Sequence, residues 1–91
     1  MPASRHPDEL MEFPCLYEFK VFGETTDSGF YDAVFGAVNR VVAITPEALK
    51  VRVSSAGRYQ CISVLVQVDN GTQLNGIYAM LRQVDGLSYL L

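Results

Sequence analysis

The chain alternates between two kinds of side chain from residue 15 to residue 22, in the order Cys15-Leu16-Tyr17-Glu18-Phe19-Lys20-Val21-Phe22. Successive side chains of a β-strand point to opposite faces, so this pattern predicts a strand with one core-facing side. The odd-numbered residues form the predicted core face, and the even-numbered ones, Lys20 among them, form the other. The strand stops at Gly23, because glycine commonly marks a turn.

The rest of the chain predicts two helices and three further strands. Apolar residues recur at helical spacing after the capping oxygens of residues 25–28, which predicts a helix over residues 28–42. Asn70 and Gln73 form the spacing of a capping box, which predicts a second helix that closes near Gly86. Alternation or apolar content predicts the remaining strands over residues 49–54, 59–68 and 87–91. Residues 55–58 are predicted to form a hairpin turn between the first two of these strands.

The order β-α-β-β-α-β, with right-handed crossovers, predicts a ferredoxin-like α+β sandwich. In this fold a four-stranded antiparallel sheet of order 4-1-3-2 carries both helices on one face and leaves the other face open. We predict one such domain over residues 13–91, preceded by an N-terminal leader at residues 1–12. Strand parity places Cys15 toward the helices and Cys61 on the open face, so a disulfide between them is not expected.

Composition narrows the classes of function. Hydrophobic residues make up 49% of the 91 residues and charged residues 19%, a balance typical of a small folded domain. The net charge of −3 argues against broad attraction to nucleic acid or anionic lipid. No apolar run reaches the ~20 residues of a membrane helix and no apolar signal peptide opens the chain, so we expect a soluble cytoplasmic protein.

Cysteine and histidine are too few for the usual metal sites. The chain has two cysteines and one histidine, His6, and the cysteines form no C-x-x-C pair. A catalytic cysteine needs a base nearby, and His6 lies in the predicted leader. We therefore expect no metal, no cofactor and no catalytic residues.

Three segments resemble the YbeD-like family of small, uncharacterised bacterial proteins. Glu9-Leu10-Met11-Glu12-Phe13-Pro14 leads into Tyr17-Glu18-Phe19-Lys20-Val21-Phe22-Gly23 as in that family. Residues 51–59 resemble the family's serine-serine-x-glycine-x-tyrosine hairpin, and residues 77–81 resemble its leucine-tyrosine helix segment. The resemblance implies the same ferredoxin-like fold, a similarity to ACT-type regulatory domains and, for some members, a link to lipoate metabolism. The sequence departs at Ala56, where the family usually has lysine, and the basic side chain here is Arg58.

Two regions are candidate ligand sites. The loop from Gly23 to Phe30 precedes a helix, and ACT domains bind ligands at this point; Gly23, Asp27 and Ser28 are the candidate residues. The alternative for this loop is ordinary helix capping, and its carboxylates would repel an anion. Acylphosphatase and copper-chaperone chemistry are not expected, because the loop has neither an arginine nor a C-x-x-C pair.

The second region is the open sheet face. Parity places Lys20, Lys50 and Arg52 there, with Arg58 and Tyr59 at the hairpin, so most of the basic residues share one side. The alternative is a solvated face whose ion pairs contribute at most about 1 kcal/mol each. Exposed apolar side chains on the same face suggest a partner.

We therefore predict a non-enzymatic regulatory or adaptor domain that binds a small anionic metabolite or a partner protein. The alternative is a nucleic-acid-binding module on the open face, although only one aromatic residue is well placed for base stacking. We also expect a weak homodimer with a micromolar dissociation constant, or one bridged by an anion.

Overall fold

The computed structural model describes residues 12–91, so the predicted leader lies outside the described residues except for Glu12. We number strands and helices in chain order. A short 3-10 turn at Pro46–Ala48 precedes the second strand. The regular elements are β1 Cys15–Glu24, α1 Phe30–Asn39, β2 Leu49–Val53, β3 Tyr59–Val68, α2 Gly71–Arg82 and β4 Leu87–Leu90.

The four strands form one antiparallel sheet in the order β2-β3-β1-β4. This is the predicted order 4-1-3-2 read from the other edge, so the α+β ferredoxin-like fold is confirmed. β1 and β3 are the central strands and pair along ten residues each, from Cys15 opposite Val68 to Glu24 opposite Tyr59. The long central pair sets the register of both sheet faces.

The core lies between one face of the sheet and the two helices. Phe19 and Val21 of β1 are fully buried, as are Ile62 and Val64 of β3, and they meet the apolar faces of α1 and α2. Burial of apolar surface is the main favourable contribution to folding. The strands also contribute Leu49, Val66 and Val68, and the helices contribute Phe30, Val34, Ala37, Val38, Leu74, Ile77 and Leu81.

The first helix is shorter than predicted. α1 covers Phe30–Asn39, whereas the apolar spacing predicted residues 28–42. Its N-cap is Gly29, which makes no side-chain capping bond. The predicted capping oxygens have other partners, because Asp27 accepts from the Gly29 N–H at 3.1 Å and Thr25 bonds to the β2–β3 hairpin.

The second helix begins as predicted. The Asn70 side chain accepts from the N–H of Gln73 at 2.8 Å, and the Gln73 side chain accepts from the N–H of Asp69 at 2.8 Å. These bonds satisfy backbone donors that a helix start leaves unpaired. Neither helix of residues 12–91 has the length and apolarity needed to cross a membrane.

Strand β2 is less buried than its alternation predicted. Leu49 is buried, but Val51 and Val53, on the same face, are 49% and 55% exposed. β2 is an edge strand, and the helical layer that buries the central strands leaves Val51 and Val53 about half uncovered. Alternation predicts which way a side chain points, and a neighbouring layer decides whether it is covered.

Candidate functional site

Three cations meet on the open face because the strand register brings them together. Lys50 of β2 stands opposite Ser63 of β3, and Ser63 stands opposite Lys20 of β1. Arg52 stands opposite Cys61, two residues further along the same strands. Neighbouring strands lie about 4.8 Å apart, so the two lysines flank the serine at a backbone separation of about 10 Å.

These side chains line a shallow depression of about 380 Å³. Its one carboxylate is Glu18, whose Oε1 lies 4.0 Å from the Lys20 Nζ, and both side chains are about half exposed. An exposed ion pair of this kind contributes about 1 kcal/mol or less. The full lining comprises Glu18, Lys20, Lys50, Val51, Arg52, Cys61 and Ser63.

The depression has the opposite charge to the chain as a whole. It contains three cations and one carboxylate, whereas the chain carries a net charge of −3. Within residues 12–91, Lys50 and Arg52 have no carboxylate partner within ion-pair distance. Ammonium, guanidinium and hydroxyl groups all donate hydrogen bonds, so the lining can hold a carboxylate or a phosphate.

The loop residues predicted as ligands have structural partners. Gly23 is buried on the helix-facing side, and a Cβ there would lie 2.7 Å from the Phe30 ring. The Asp27 carboxylate accepts from the Gly29 N–H, and the Asp27 carbonyl accepts from the Phe30 N–H at 3.3 Å. Asp27 therefore occupies donors at the start of α1 that an anion would need, while Ser28 is exposed.

The hairpin residues lie beyond the depression. The Thr25 N–H donates to the Arg58 carbonyl at 3.0 Å, and the Thr25 hydroxyl donates to the Gly57 carbonyl at 2.7 Å. These bonds hold the β1–α1 loop against the hairpin. Tyr59 is 45% exposed and stands opposite Glu24. The structure thus brings together Lys20, Lys50 and Arg52 and leaves Gly23, Asp27, Ser28, Arg58 and Tyr59 outside the lining.

Strand parity places Ser63 on the open face with Cys61, but neither residue was among the predicted site residues. Their position between the lysines and beside Arg52 depends on the pairing of β2 with β3 and of β3 with β1. Alternation predicts which face of the sheet a residue lies on, but it does not predict which residue of the neighbouring strand lies opposite. Only the alignment of the strands could therefore have identified Ser63 and Cys61 as site residues.

A second polar contact, also unforeseen, lies on the helix-facing side. The hydroxyls of Tyr17 and Tyr78 are 2.6 Å apart, and the Arg82 guanidinium lies 5.6 Å from the Tyr78 ring centre. Burial and the hydrogen bond with Tyr17 raise the pKa of Tyr78, although Arg82 opposes the shift. The hydroxyl pair joins β1 to α2 as a packing contact.

Within residues 12–91, no three histidine, cysteine or carboxylate side chains are grouped as metal ligands would be. Cys15 and Cys61 are free thiols on opposite faces of the sheet. The fold and the depression together define a small α+β sandwich domain with a cationic open sheet face.

The chain belongs to the family described as a protein of unknown function, DUF493, whose model matches residues 8–91. A UPF0250 protein of Shewanella woodyi is 34% identical over 86 residues, covering 92% of this chain and 93% of the relative. The corresponding protein of Idiomarina loihiensis is 32% identical over 90 residues, with the same coverage. These matches confirm the YbeD-like resemblance.

A solved structure shares the fold. The solution structure of protein HP0495 from H. pylori has a TM-score of 0.66 to this chain and 19% sequence identity. The likeness covers 89% of this chain and 85% of that one. At this identity the match supports the shared architecture and gives no information about ligands.

Proposed function

We propose that this protein is a non-enzymatic regulatory or adaptor module that binds a small anionic metabolite on its open sheet face. The observation that best supports this function is the row Lys50, Ser63 and Lys20, in which two ammonium side chains flank a hydroxyl on three neighbouring strands. A carboxylate or phosphate is held by positive charge together with hydrogen-bond donors, and this row supplies both.

The lining groups suit binding better than catalysis. A nucleophile such as Ser63 or Cys61 needs a base within hydrogen-bond reach. The chain's single histidine, His6, lies outside the described residues, and the one carboxylate of the lining faces the Lys20 ammonium at 4.0 Å. The depression provides positive charge and hydrogen-bond donors.

A thermal-shift screen tests this function. The probes are inorganic phosphate, octanoate, lipoate, amino acids and nucleotides, each added separately; the first three follow from the site chemistry and from the family's implied link to lipoate metabolism. A ligand present at ~100 times its dissociation constant stabilises the native state by about 2.7 kcal/mol, which raises the melting temperature of a domain this small by roughly 10–20 °C. If no probe raises the melting temperature, the proposal of a small-anion site is wrong.

One pair of variants locates the binding. Lys50→Gln removes a cation from the row and should abolish most of the shift produced by the best probe. Arg40→Gln removes the same charge from the exposed end of α1, on the other side of the sheet, and should leave the shift intact. If both variants lose the same part of the thermal shift, the anion is attracted by the net charge of the protein and does not bind specifically at the depression.

Nucleic acid is the alternative ligand of the same face. Single-stranded RNA and DNA oligonucleotides, titrated at two salt concentrations, test it directly because phosphate contacts weaken steeply as salt rises. Salt-sensitive binding that Lys50→Gln weakens would replace the metabolite proposal. Absence of binding at both concentrations would remove this alternative.

We also propose that the open face supports weak self-association. Leu16 is 67% exposed and Leu65 is 49% exposed on this face, and Tyr89 near its other edge is 60% exposed. Twofold pairing would cover this apolar surface, while like charges at the depression would limit the affinity. Light scattering should show the mass rising with concentration, and rising further with phosphate. A constant mass near 10 kDa up to millimolar protein would contradict this proposal.

A further inference from the structure

The outer edge of β2 presents backbone hydrogen-bonding groups. β2 is an edge strand, and among residues 12–91 no strand lies beyond it. The Ser54 N–H donates to the Tyr59 carbonyl at 2.8 Å, which fixes the alternation of the ladder. Hydrogen-bonded and non-bonded pairs alternate in an antiparallel ladder, so Arg52 and Lys50 bond to β3 while the N–H and C=O of Val51 and Val53 point outward.

The side chains of this edge differ sharply between its two faces. Val51 and Val53 are 49% and 55% exposed on the helix-facing side. Lys50 and Arg52 are exposed on the open side, each without a carboxylate partner in the described part of the chain. A strand that pairs with this edge therefore meets apolar surface on one face and two positive charges on the other.

A second copy of β2 fits this edge poorly. In an antiparallel pair, side chains directly opposite share a face, and like charges opposite each other are destabilising. Pairing Val51 with Val51 of another copy sets Lys50 opposite Arg52. Pairing Val51 with Leu49 sets Lys50 opposite Lys50, and pairing it with Val53 sets Arg52 opposite Arg52. Each of these three antiparallel registers therefore places two cationic side chains opposite each other.

We propose that the β2 edge binds an extended segment of a partner protein in which acidic and apolar residues alternate. In the antiparallel arrangement the acidic side chains of the segment stand opposite Lys50 and Arg52, and its apolar side chains stand opposite Val51 and Val53. Addition of a strand to an exposed sheet edge is a common mode of peptide recognition, in which backbone bonds give affinity and alternate side chains give specificity.

The proposed peptide site is distinct from the proposed metabolite site, although the two share Lys50 and Arg52. The metabolite site depends on Ser63 and Lys20, which lie one and two strands inward from β2, respectively. The peptide site depends on the backbone of Val51 and Val53. The two can therefore fail independently, and a bound anion should compete with a bound peptide.

The probe is a seven-residue peptide of alternating glutamate and valine with serine at both ends, acetylated and amidated. We expect it to bind the full-length protein in NMR titrations and to protect the amide protons of Val51 and Val53 from exchange. A peptide of alternating lysine and valine should bind at least tenfold more weakly. No detectable binding of the glutamate peptide at millimolar concentration would overturn the proposal.

Backbone pairing is separated from charge attraction by N-methylation of the two valines of the probe. Their N–H groups are the ones that face Val51 and Val53, so methylation should weaken binding at least tenfold with every charge unchanged. Equal affinity of the methylated peptide would mean that charge alone attracts the probe, and the proposed strand addition would be wrong.

Three protein variants complete the test. Lys50→Glu combined with Arg52→Glu should reverse the preference, so that the lysine peptide binds more tightly than the glutamate peptide. Val51→Pro removes an outward N–H at a position where an edge strand tolerates proline, and it should weaken binding at least fivefold while circular dichroism verifies the fold. Lys20→Gln should change peptide affinity less than twofold. If Lys20→Gln greatly weakens peptide binding and Val51→Pro does not, the peptide binds at the depression around Lys20 and Ser63, and the proposed edge site is wrong.

Discussion

The two faces of the sheet are built by the same strands in the same register, yet they differ in almost every property. On the helix-covered face Phe19, Val21, Ile62 and Val64 are fully buried. On the open face the residues between them carry charge or hydroxyl groups and remain accessible, with Lys20 as the central example. Stability therefore depends on the helix-covered face, and the proposed anion binding depends on the open face, so substitutions should separate the two.

Phe19→Ala should show the largest effect on stability. The ring is fully buried and lies 4.8 Å from the Tyr17 ring and 4.9 Å from the Tyr78 ring, measured between centroids. Its removal should lower the free energy of unfolding by about 3–5 kcal/mol through lost burial and a residual cavity. Urea denaturation followed by circular dichroism measures this cost. Leu65→Ala on the open face is the control, and an equal cost there would contradict the division between faces.

Gly23→Ala should be the next most damaging change. The added Cβ would lie 2.7 Å from the buried Phe30 ring, so the ring or the strand must shift, at about 1–3 kcal/mol. Gly36→Ala is the matched control, because a Cβ at that position in α1 meets nothing within 4 Å. There the better helix propensity of alanine should stabilise the protein by about 1 kcal/mol. Effects of the same sign in both variants would show that space at residue 23 is not the cause.

The tyrosine pair predicts a dependence of stability on alkaline pH. The pKa of Tyr78 is raised in the folded protein by burial and by the Tyr17 hydroxyl, so the contribution of Tyr78 is complete below the ordinary tyrosine pKa. Above pH ~10 the unfolded chain loses this proton first, and stability falls as pH rises. The slope should be below the limit of about 1.4 kcal/mol per pH unit for one proton, because solvent screens the partly exposed group.

Denaturation curves between pH 9 and 11, about one unit to each side of the ordinary tyrosine pKa, measure this slope. Tyr78→Phe should flatten this slope relative to the unsubstituted protein. An unchanged slope in Tyr78→Phe would assign the alkaline loss to another group.

The open-face cations should have the smallest effect on stability. Lys50→Gln combined with Arg52→Gln should change the free energy of unfolding by no more than about 0.5 kcal/mol, since exposed charges without partners contribute little. The same double variant should lose binding of the best anionic probe. A stability change above ~1 kcal/mol would mean that these side chains support the sheet.

Strand parity accounts for the part of the site that was predictable. The alternation of residues 15–22 placed Lys20 outward and Phe19 inward, and the same reasoning placed Lys50 and Arg52 on the open face. It failed in a specific way at Val51 and Val53, which point toward the helical layer but are only half covered by it. Local alternation carries no information on how far that layer extends.

The loop before α1 shows a second limit of sequence reasoning. Four consecutive residues with side-chain oxygens predicted a capped helix, but Thr25 bonds to the hairpin and Asp27 holds Gly29. The hairpin is more than thirty residues away along the chain, so its carbonyl groups could not be weighed as competitors. By contrast, the cap of α2 uses Asn70 and Gln73 themselves, and local spacing predicted it correctly.

The sequence by itself determined the order of the elements, the face on which each strand residue lies and the start of α2. These properties follow from periods of 2 and 3.6 residues and from caps that act within one turn. Only the tertiary structure decided that Ser63 stands between Lys50 and Lys20, that Asp27 occupies the start of α1 and that Val51 and Val53 stay about half exposed. Each of these outcomes depends on how distant segments align across the sheet, a relation set by packing of the whole core and absent from any local pattern.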